Sequence, residues 1–169
     1  MGGIARFMHV SPERFSADWE DAFGNQTVPA LPPLPRRATT GSAGYDFFAP
    51  LAFRLAPGAC LRIPTGVRAR IDDGWVLMLF PRSGLGFKYR LQLNNTVGIV
   101  DADYFGARNE GHIFIKLTNA GDKPLSVEAG EAFAQGVFVP FGLTDDDDAR
   151  GARTGGFGST GNMGSDIKG

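Results

Sequence analysis

Two acidic residues stand where a carboxylate could act on a substrate, because each lies in or directly after an apolar run. Asp46 interrupts the apolar segment 43–49, and Asp101 follows the apolar part of 95–106. An unperturbed aspartate is ionised at neutral pH, so Asp101 could take a proton from water as a general base. Tyr104 could offer its ring as a platform for a flat or ring-shaped ligand. Each segment also has an ordinary structural interpretation. Asp46 could be a strand-end acid bonded to the backbone of a turn, and 95–106 could be a strand that leaves the core and enters a turn.

Two further segments combine cations, hydroxyls and glycines, the residue types that bind phosphate. In 81–86, Arg82 and Ser83 precede Gly84. Arginine supplies a fork of donors, and glycine lets the backbone approach oxygen atoms closely. Segment 153–161 reads RTGGFGSTG and could wrap a polyphosphate with its backbone N–H groups as a mobile lid. Segment 153–161 lacks the Gly-Lys-Ser/Thr ending of a P-loop. The alternative for 81–86 is an ordinary surface turn, and the alternative for 153–161 is a plain flexible tail.

These residues need a scaffold, and the sequence predicts one that is rich in short strands. Glycine and proline account for 24 and 11 of the 169 residues, which favours many turns over a helical bundle. Short apolar or alternating runs between turn residues predict nine strands, at 43–48, 51–55, 60–63, 66–71, 75–80, 91–94, 112–118, 124–127 and 132–140, and one helical turn at 83–88. This pattern favours an antiparallel sandwich or barrel.

Three regions differ in composition. Residues 1–38 combine a Pro-rich connector with a helix, which is predicted to begin with Ser11 as N-cap and to end near Gly24. Residues 39–143 are predicted to form the strand-rich core. Residues 144–169 are rich in Asp and Gly and poor in apolar side chains, so we expect a flexible arm.

Charge and cysteine content exclude several classes of protein. With 17 basic and 18 acidic residues the formal net charge is −1, so no overall basic field exists to hold nucleic acid. The single cysteine, Cys60, excludes an intrachain disulfide and a cysteine-based zinc cluster. The sequence shows no apolar run of about 18 residues and no signal peptide, which predicts a cytoplasmic protein without membrane contact.

Five segments, in this order, resemble the five motifs of the trimeric dUTP pyrophosphatases (dUTPases). They are 43–49, 81–86, 95–106, 129–135 and 153–161, and the most specific matches are GIVDADY in the third and GGFGSTG in the fifth. The resemblance implies an all-β, jelly-roll-like distorted β-barrel of short antiparallel strands, to which the residues before it add the short N-terminal helix. It also implies a homotrimer with active sites between subunits, where the C-terminal arm closes over dUTP.

The implied reaction is hydrolysis of dUTP to dUMP and pyrophosphate, which keeps uracil out of DNA and supplies dUMP for thymidylate synthesis. The resemblance assigns to Asp101 the activation of the water that attacks the α-phosphorus. It assigns to Tyr104 the packing against deoxyribose that leaves no room for a 2′-hydroxyl. Asp46 is implied to support a Mg²⁺ cofactor through water, without direct ligation. The resemblance assigns the recognition of uracil to Asn95, Gly98 and Val100. It assigns phosphate binding to Arg82, Ser83, Gly84 and Gln135. It assigns closure of the site to the arm residues Arg153, Gly156, Phe157, Gly158, Ser159 and Thr160.

The chain departs from the family pattern at several positions. Phe105 stands where Arg is usual, and the stretch 107–112 is longer than usual. Ala132 replaces a common basic residue of the fourth motif. Arg153 lies one place nearer the glycines than the usual arm arginine, and Arg150 is the alternative contact for the γ-phosphate.

Two other functions stay open. A dCTP deaminase shares the fold but needs a catalytic Glu near the base, where this chain has DADY. A non-enzymatic dUTPase-like regulator would bind a protein partner under nucleotide control, through residues 1–40 or 107–111. The presence of Asp101, Tyr104 and the arm favours the enzyme, since a pure binder would not need them.

Overall fold

The computed structural model describes residues 2–153 and Gly155, which form two short helices and eleven strands. The helices are α1 (Pro12–Phe23) and α2 (Ser83–Tyr89). The strands are β1 (Ala5–His9), β2 (Tyr45–Phe48), β3 (Phe53–Leu55), β4 (Cys60–Pro64), β5 (Val67–Ile71), β6 (Trp75–Pro81), β7 (Leu91–Leu93), β8 (Gly98–Val100), β9 (Phe114–Asn119), β10 (Leu125–Val127) and β11 (Ala132–Pro140). A 3₁₀ helix, Ala102–Gly106, follows β8. Within these residues no helix has the length and apolar character needed to cross a membrane.

Helix α1 begins and ends where its sequence predicts. The Ser11 side chain accepts a hydrogen bond from the Arg14 N–H at 3.1 Å, and proline occupies the first turn. Gly24 ends the helix at a φ of 62°, and its N–H donates to the Glu20 carbonyl at 2.7 Å. Trp19 is among the buried residues of the face that α1 turns to the rest of the chain.

The described strands pair antiparallel in four sheets. A four-stranded sheet has the order β2-β11-β6-β8, and a three-stranded sheet has the order β4-β9-β7. Two pairs, β1-β5 and β3-β10, complete the set. Fully buried side chains such as Phe47, Leu77, Leu117 and Phe133 fill the core. The predicted all-β class is therefore confirmed, although the strands described here do not join into one closed barrel.

Two strands, β1 and β8, are absent from the nine that the sequence predicts. Strand β1 lies in the segment that we assigned to a helix and a connector, and it pairs with β5 from Ala5↔Ile71 to His9↔Val67. Strand β8 has only three residues, too few for alternation to show. Phe7 explains why β1 joins the core, because its ring lies 5.4 Å from that of Tyr45 and 5.5 Å from that of Phe138.

Candidate active site

Three of the predicted site residues, far apart in the sequence, meet at one end of the four-stranded sheet. Asp46 on β2 is in register with Gln135 on β11, and Gln135 is in register with Phe80 on β6. The Arg82 Nε lies 3.3 Å from Asp46 Oδ1. The Gln135 side-chain amide donates to the Pro81 carbonyl at 3.2 Å. The sheet register therefore gathers a carboxylate, a guanidinium and an amide, which we call the strand-end cluster (Asp46, Arg82 and Gln135).

The strand-end cluster opens onto the start of helix α2. Ser83 and Gly84 form the first turn of that helix, and Arg82 precedes it in extended conformation. The Arg82 side chain is 43% exposed while that of Asp46 is 16% exposed, so the guanidinium can meet an anion from solvent. An open depression of about 310 Å³ lies here, and Arg82, Ser83 and Phe87 are among its lining residues.

The hairpin predicted to read uracil connects β7 and β8 through a tight turn. Thr96 adopts a φ of 67° in this turn. Gly98 is required where β8 lies against β6, because a Cβ there would come within 2.9 Å of the Leu79 Cβ. A cavity of about 220 Å³ opens beside the hairpin, with Asn95 and Gly98 in its wall. The Val100 side chain is buried in the core.

Asp101 follows β8, and the arm returns to it. The Arg153 Nη2 donates to Asp101 Oδ2 at 2.7 Å, and the Arg153 Nε lies 3.1 Å from Asp103 Oδ1. The guanidinium carbon is 5.6 Å from the centre of the Tyr104 ring. Arg153 is only 13% exposed, whereas Asp101 is 46% exposed. Of the two arginines considered for the arm, the structure places Arg153 against the third motif and leaves Arg150 exposed.

Tyr104 lies in the 3₁₀ helix and is 1% exposed. Its hydroxyl donates to the His112 carbonyl at 2.6 Å and accepts a hydrogen bond from Asn109 Nδ2 at 2.8 Å. Burial raises the pKa of the Tyr104 phenol above its usual value, so the hydroxyl keeps its proton at neutral pH. These two contacts fix the position of the ring.

Asp101 and the strand-end cluster lie at opposite ends of the same pair of strands. Because β8 runs antiparallel to β6 with Leu77 opposite Val100, Asp101 falls next to Val76. Arg82 is six residues beyond Val76. At the rise of a strand this separation is roughly 20 Å, which exceeds the length of a phosphate chain. One chain therefore does not bring the predicted base and the strand-end cluster to one phosphate.

Sequence reasoning missed a second polar group that joins helix α1 to the loop before β9. Asp18 Oδ2 lies 2.6 Å from His112 Nδ1. Ser11 donates to Glu110 through its backbone N–H at 2.8 Å and its hydroxyl at 2.6 Å. The sequence offered only an indirect indication of this contact: residues 1–38 and the long 107–112 stretch are two parts that fall outside the motif pattern.

Some predicted residues lie outside the described part of the chain, namely Gly156, Phe157, Gly158, Ser159 and Thr160. Within residues 2–153 and 155, no group of three or more His, Cys, Asp or Glu side chains could hold a metal ion.

Comparison with known proteins shows the family to which the chain belongs. The dUTPase family model matches residues 32–161. The deoxyuridine 5′-triphosphate nucleotidohydrolase of Lactococcus lactis subsp. lactis is 44% identical over 131 residues, which covers 76% of this chain and 87% of the relative. The protein of the same name from Escherichia coli (strain K12 / DH10B) is 42% identical over 137 residues, with the same two coverages.

Solved structures extend the likeness to the fold. The dUTPase of Streptococcus mutans has a TM-score of 0.62 at 37% identity, and the match covers 82% of this chain and 98% of that chain. A mutant dUTPase of phage phi11 of S. aureus, described as coordinating a structural Mg(II) ion, has a TM-score of 0.63 at 20% identity, covering 88% and 98%. The protein is thus one of the β-rich, jelly-roll-like class that these structures represent. Within that class, the chain belongs to the dUTPase family.

Proposed function

We propose that this protein hydrolyses dUTP to dUMP and pyrophosphate. Family membership supports the reaction, because the relatives at 42–44% identity are named deoxyuridine 5′-triphosphate nucleotidohydrolases. The structural observation that carries the proposal is the gathering of Asp46, Arg82 and Gln135 by the sheet register. These three sit in separate motifs of the sequence, and their convergence gives each of them a place at one substrate.

Asp101 is proposed to accept a proton from the water that attacks the α-phosphorus. Its carboxylate is 46% exposed and follows a paired strand, so water can reach a fixed base. In this structure the Arg153 Nη2 donates a hydrogen bond to Asp101 Oδ2. A triphosphate offers that guanidinium a more highly charged partner, so substrate binding would draw Arg153 away and open the carboxylate to water.

Tyr104 is proposed to pack against the deoxyribose, and the 95–101 hairpin to bind uracil beside the 220 Å³ cavity. Rejection of a ribonucleotide then depends on a ring that leaves no room for one more hydroxyl. The arm residues are proposed to cover the base and the terminal phosphates. Phe157 is proposed to stack over uracil, Ser159 and Thr160 to hold the terminal phosphates, and Gly156 and Gly158 to contact the substrate beside them.

Arg82, Ser83, Gly84 and Gln135 are proposed to hold the phosphate chain. A triphosphate carries several negative charges, and a chain of net charge −1 can offset them only locally. The residues fit a Mg²⁺ ion held through water, because Mg²⁺ usually keeps several of its waters and binds substrate phosphates, and the Asp46 carboxylate beside Arg82 could accept a hydrogen bond from one of those waters without direct ligation. When bound, the ion would neutralise phosphate charge and polarise the α-phosphoryl group.

A homotrimer with shared sites is proposed, because Asp101 and the strand-end cluster of one chain are roughly 20 Å apart along the strands. Asp101 and Tyr104 of a neighbouring subunit could meet this chain's cluster, and a threefold ring is a closed arrangement that allows it. The near-neutral charge gives no attraction for a nucleic-acid polymer, so the proposed substrate is the free cytoplasmic nucleotide.

The direct test is pyrophosphate release from dUTP with Mg²⁺, beside dTTP, dCTP and UTP at equal concentration. We expect fast release from dUTP alone. No release from dUTP by a folded, trimeric preparation would contradict the enzyme and favour the regulator, and ammonia release from dCTP would indicate the deaminase.

A further inference from the structure

Helix α1 and the 107–112 loop, which both lie outside the family motifs, form one connected unit. Ser11 at the start of the helix binds the Glu110 carboxylate at 2.8 and 2.6 Å. One turn into the helix, Arg14 Nη2 donates to Asp18 Oδ1 at 2.8 Å. The other oxygen of Asp18 contacts His112 Nδ1 at 2.6 Å. Two contacts, roughly two turns apart on the helix, therefore hold the loop.

His112 has a fixed ring and a fixed proton. The residue is 0% exposed, and the Gly66 N–H donates to its Nε2 at 2.8 Å. Because Nε2 accepts that bond, the ring proton of neutral His112 lies on Nδ1 and is donated to Asp18. The side chain thus links helix α1 to the turn before β5, and its backbone cannot shift without breaking both bonds.

The same loop holds Tyr104 from three directions. The His112 carbonyl accepts from the Tyr104 hydroxyl, and the Asn109 amide donates to it. Asn109 is itself oriented, because its Oδ1 accepts from the Gly111 N–H at 3.2 Å. Gly111, at a φ of 69°, packs so closely that a Cβ there would come within 2.7 Å of the Tyr104 carbonyl oxygen.

We propose that helix α1 and the 107–112 loop form a positioning device for Tyr104, with Asp18, His112 and Asn109 as positioning residues that set the discrimination between deoxyribo- and ribonucleotides. This inference rests on the proposed dUTP hydrolysis. A steric test for one hydroxyl of the substrate works only if the protein wall does not yield, and the buried Tyr104, whose own hydroxyl is held by two hydrogen bonds from the loop, gives that rigidity.

The test is the ratio of kcat/KM for UTP to kcat/KM for dUTP. Asn109→Ala removes the bond to the Tyr104 hydroxyl from a partly exposed loop residue, so folding is retained. We expect the ratio to rise about threefold to tenfold, the range that follows from losing one hydrogen bond. Arg108→Ala, the exposed neighbour in the same loop, should leave it unchanged.

A double-mutant cycle separates positioning from general loosening. In a Tyr104→Phe background the hydroxyl is gone, so Asn109→Ala should add no further change to the ratio. An equal effect of Asn109→Ala in both backgrounds would overturn the proposal.

The helix end of the device is tested with Asp18. Asp18→Ala should raise the ratio in the same direction as Asn109→Ala, and Asp18→Asn, which keeps an acceptor for the His112 Nδ1–H, should restore most of the wild-type ratio. Glu20→Ala, an exposed acid on the same helix, is the control. An unchanged ratio in both Asp18→Ala and Asn109→Ala, whatever the melting temperature, would overturn the inference. A wild-type protein that does not hydrolyse dUTP would instead overturn the proposed function.

Discussion

The two halves of the candidate site are built by different means. The strand-end cluster is placed mainly by antiparallel register: β2 and β11 set Asp46 beside Gln135, β11 pairs in turn with β6, and Arg82 directly follows the end of β6. The Asp101–Tyr104 half depends on a 3₁₀ helix, a long loop, helix α1 and the arm. In the first half, backbone pairing between strands that are distant in the chain fixes the positions, whereas the second half is held by side-chain contacts from four segments. We therefore expect changes at the first half to alter substrate binding, and changes at the second half to alter both chemistry and selectivity.

The largest expected loss of activity comes from Asp101→Asn, which replaces the proposed general base in the Asp101–Tyr104 half of the site. Asparagine keeps the shape but cannot take a proton, so kcat should fall by about 10² to 10⁴-fold while binding of a non-hydrolysable dUTP analogue is retained. Pyrophosphate release and calorimetric binding measure the two quantities. Normal turnover would contradict the role of Asp101 as the base.

Deletion of residues 150–169 removes the arm and leaves every described helix and strand in place. We expect kcat/KM to fall by about a hundredfold or more, because the arm is proposed to supply phosphate contacts and to exclude water. The oligomeric state, measured by light scattering, should not change. An unchanged rate would show that the arm is no lid.

Arg82→Ala tests the strand-end cluster. Loss of a charge-assisted hydrogen bond is worth about 1.5–3 kcal/mol, so kcat/KM for dUTP should fall by about ten- to a hundredfold, mainly through KM. The melting temperature should stay close to that of the wild type, since the side chain is 43% exposed. Arg54→Ala on β3, also exposed, is the matched control. A fall in kcat with KM unchanged would contradict a ground-state phosphate contact.

The smallest expected effect is the pH dependence of stability that His112 gives to the Asp101–Tyr104 half of the site. Burial lowers the pKa of His112 below its usual value, against the opposing influence of Asp18 and Glu110; Arg14 acts in the same direction as burial. The unfolded chain takes up a proton near pH 6.5, where the folded protein keeps His112 neutral. The stability gained by keeping His112 neutral in the folded protein is therefore complete above about pH 6.5, and it is lost as the pH falls toward the pKa of folded His112.

Melting temperatures measured between about pH 8 and pH 5 check this expectation. His112→Gln should flatten the fall on the acid side. Identical pH slopes for wild type and His112→Gln would contradict it.

Local patterns predicted much of the fold. The cap at Ser11, the stop at Gly24 and most strand positions follow from turn residues and short apolar runs. Predicted boundaries differ by a few residues, as at β3, which begins at Phe53 rather than 51. Strand β1 could not be foreseen, because its pairing with β5 depends on residues about 60 positions away in the chain.

The sequence by itself determined the five motifs, their order, the β-rich class and the identity of the groups that could act on a nucleotide. Only the tertiary structure decided which of these groups share a place. It joined Asp46, Arg82 and Gln135 and set Asp101 apart from them. It also linked Asp18 to His112 across 94 residues. Hydrophobic periodicity and turn chemistry act between near neighbours and therefore leave a trace in the sequence, whereas a contact between distant residues exists only once the sheets are paired and packed.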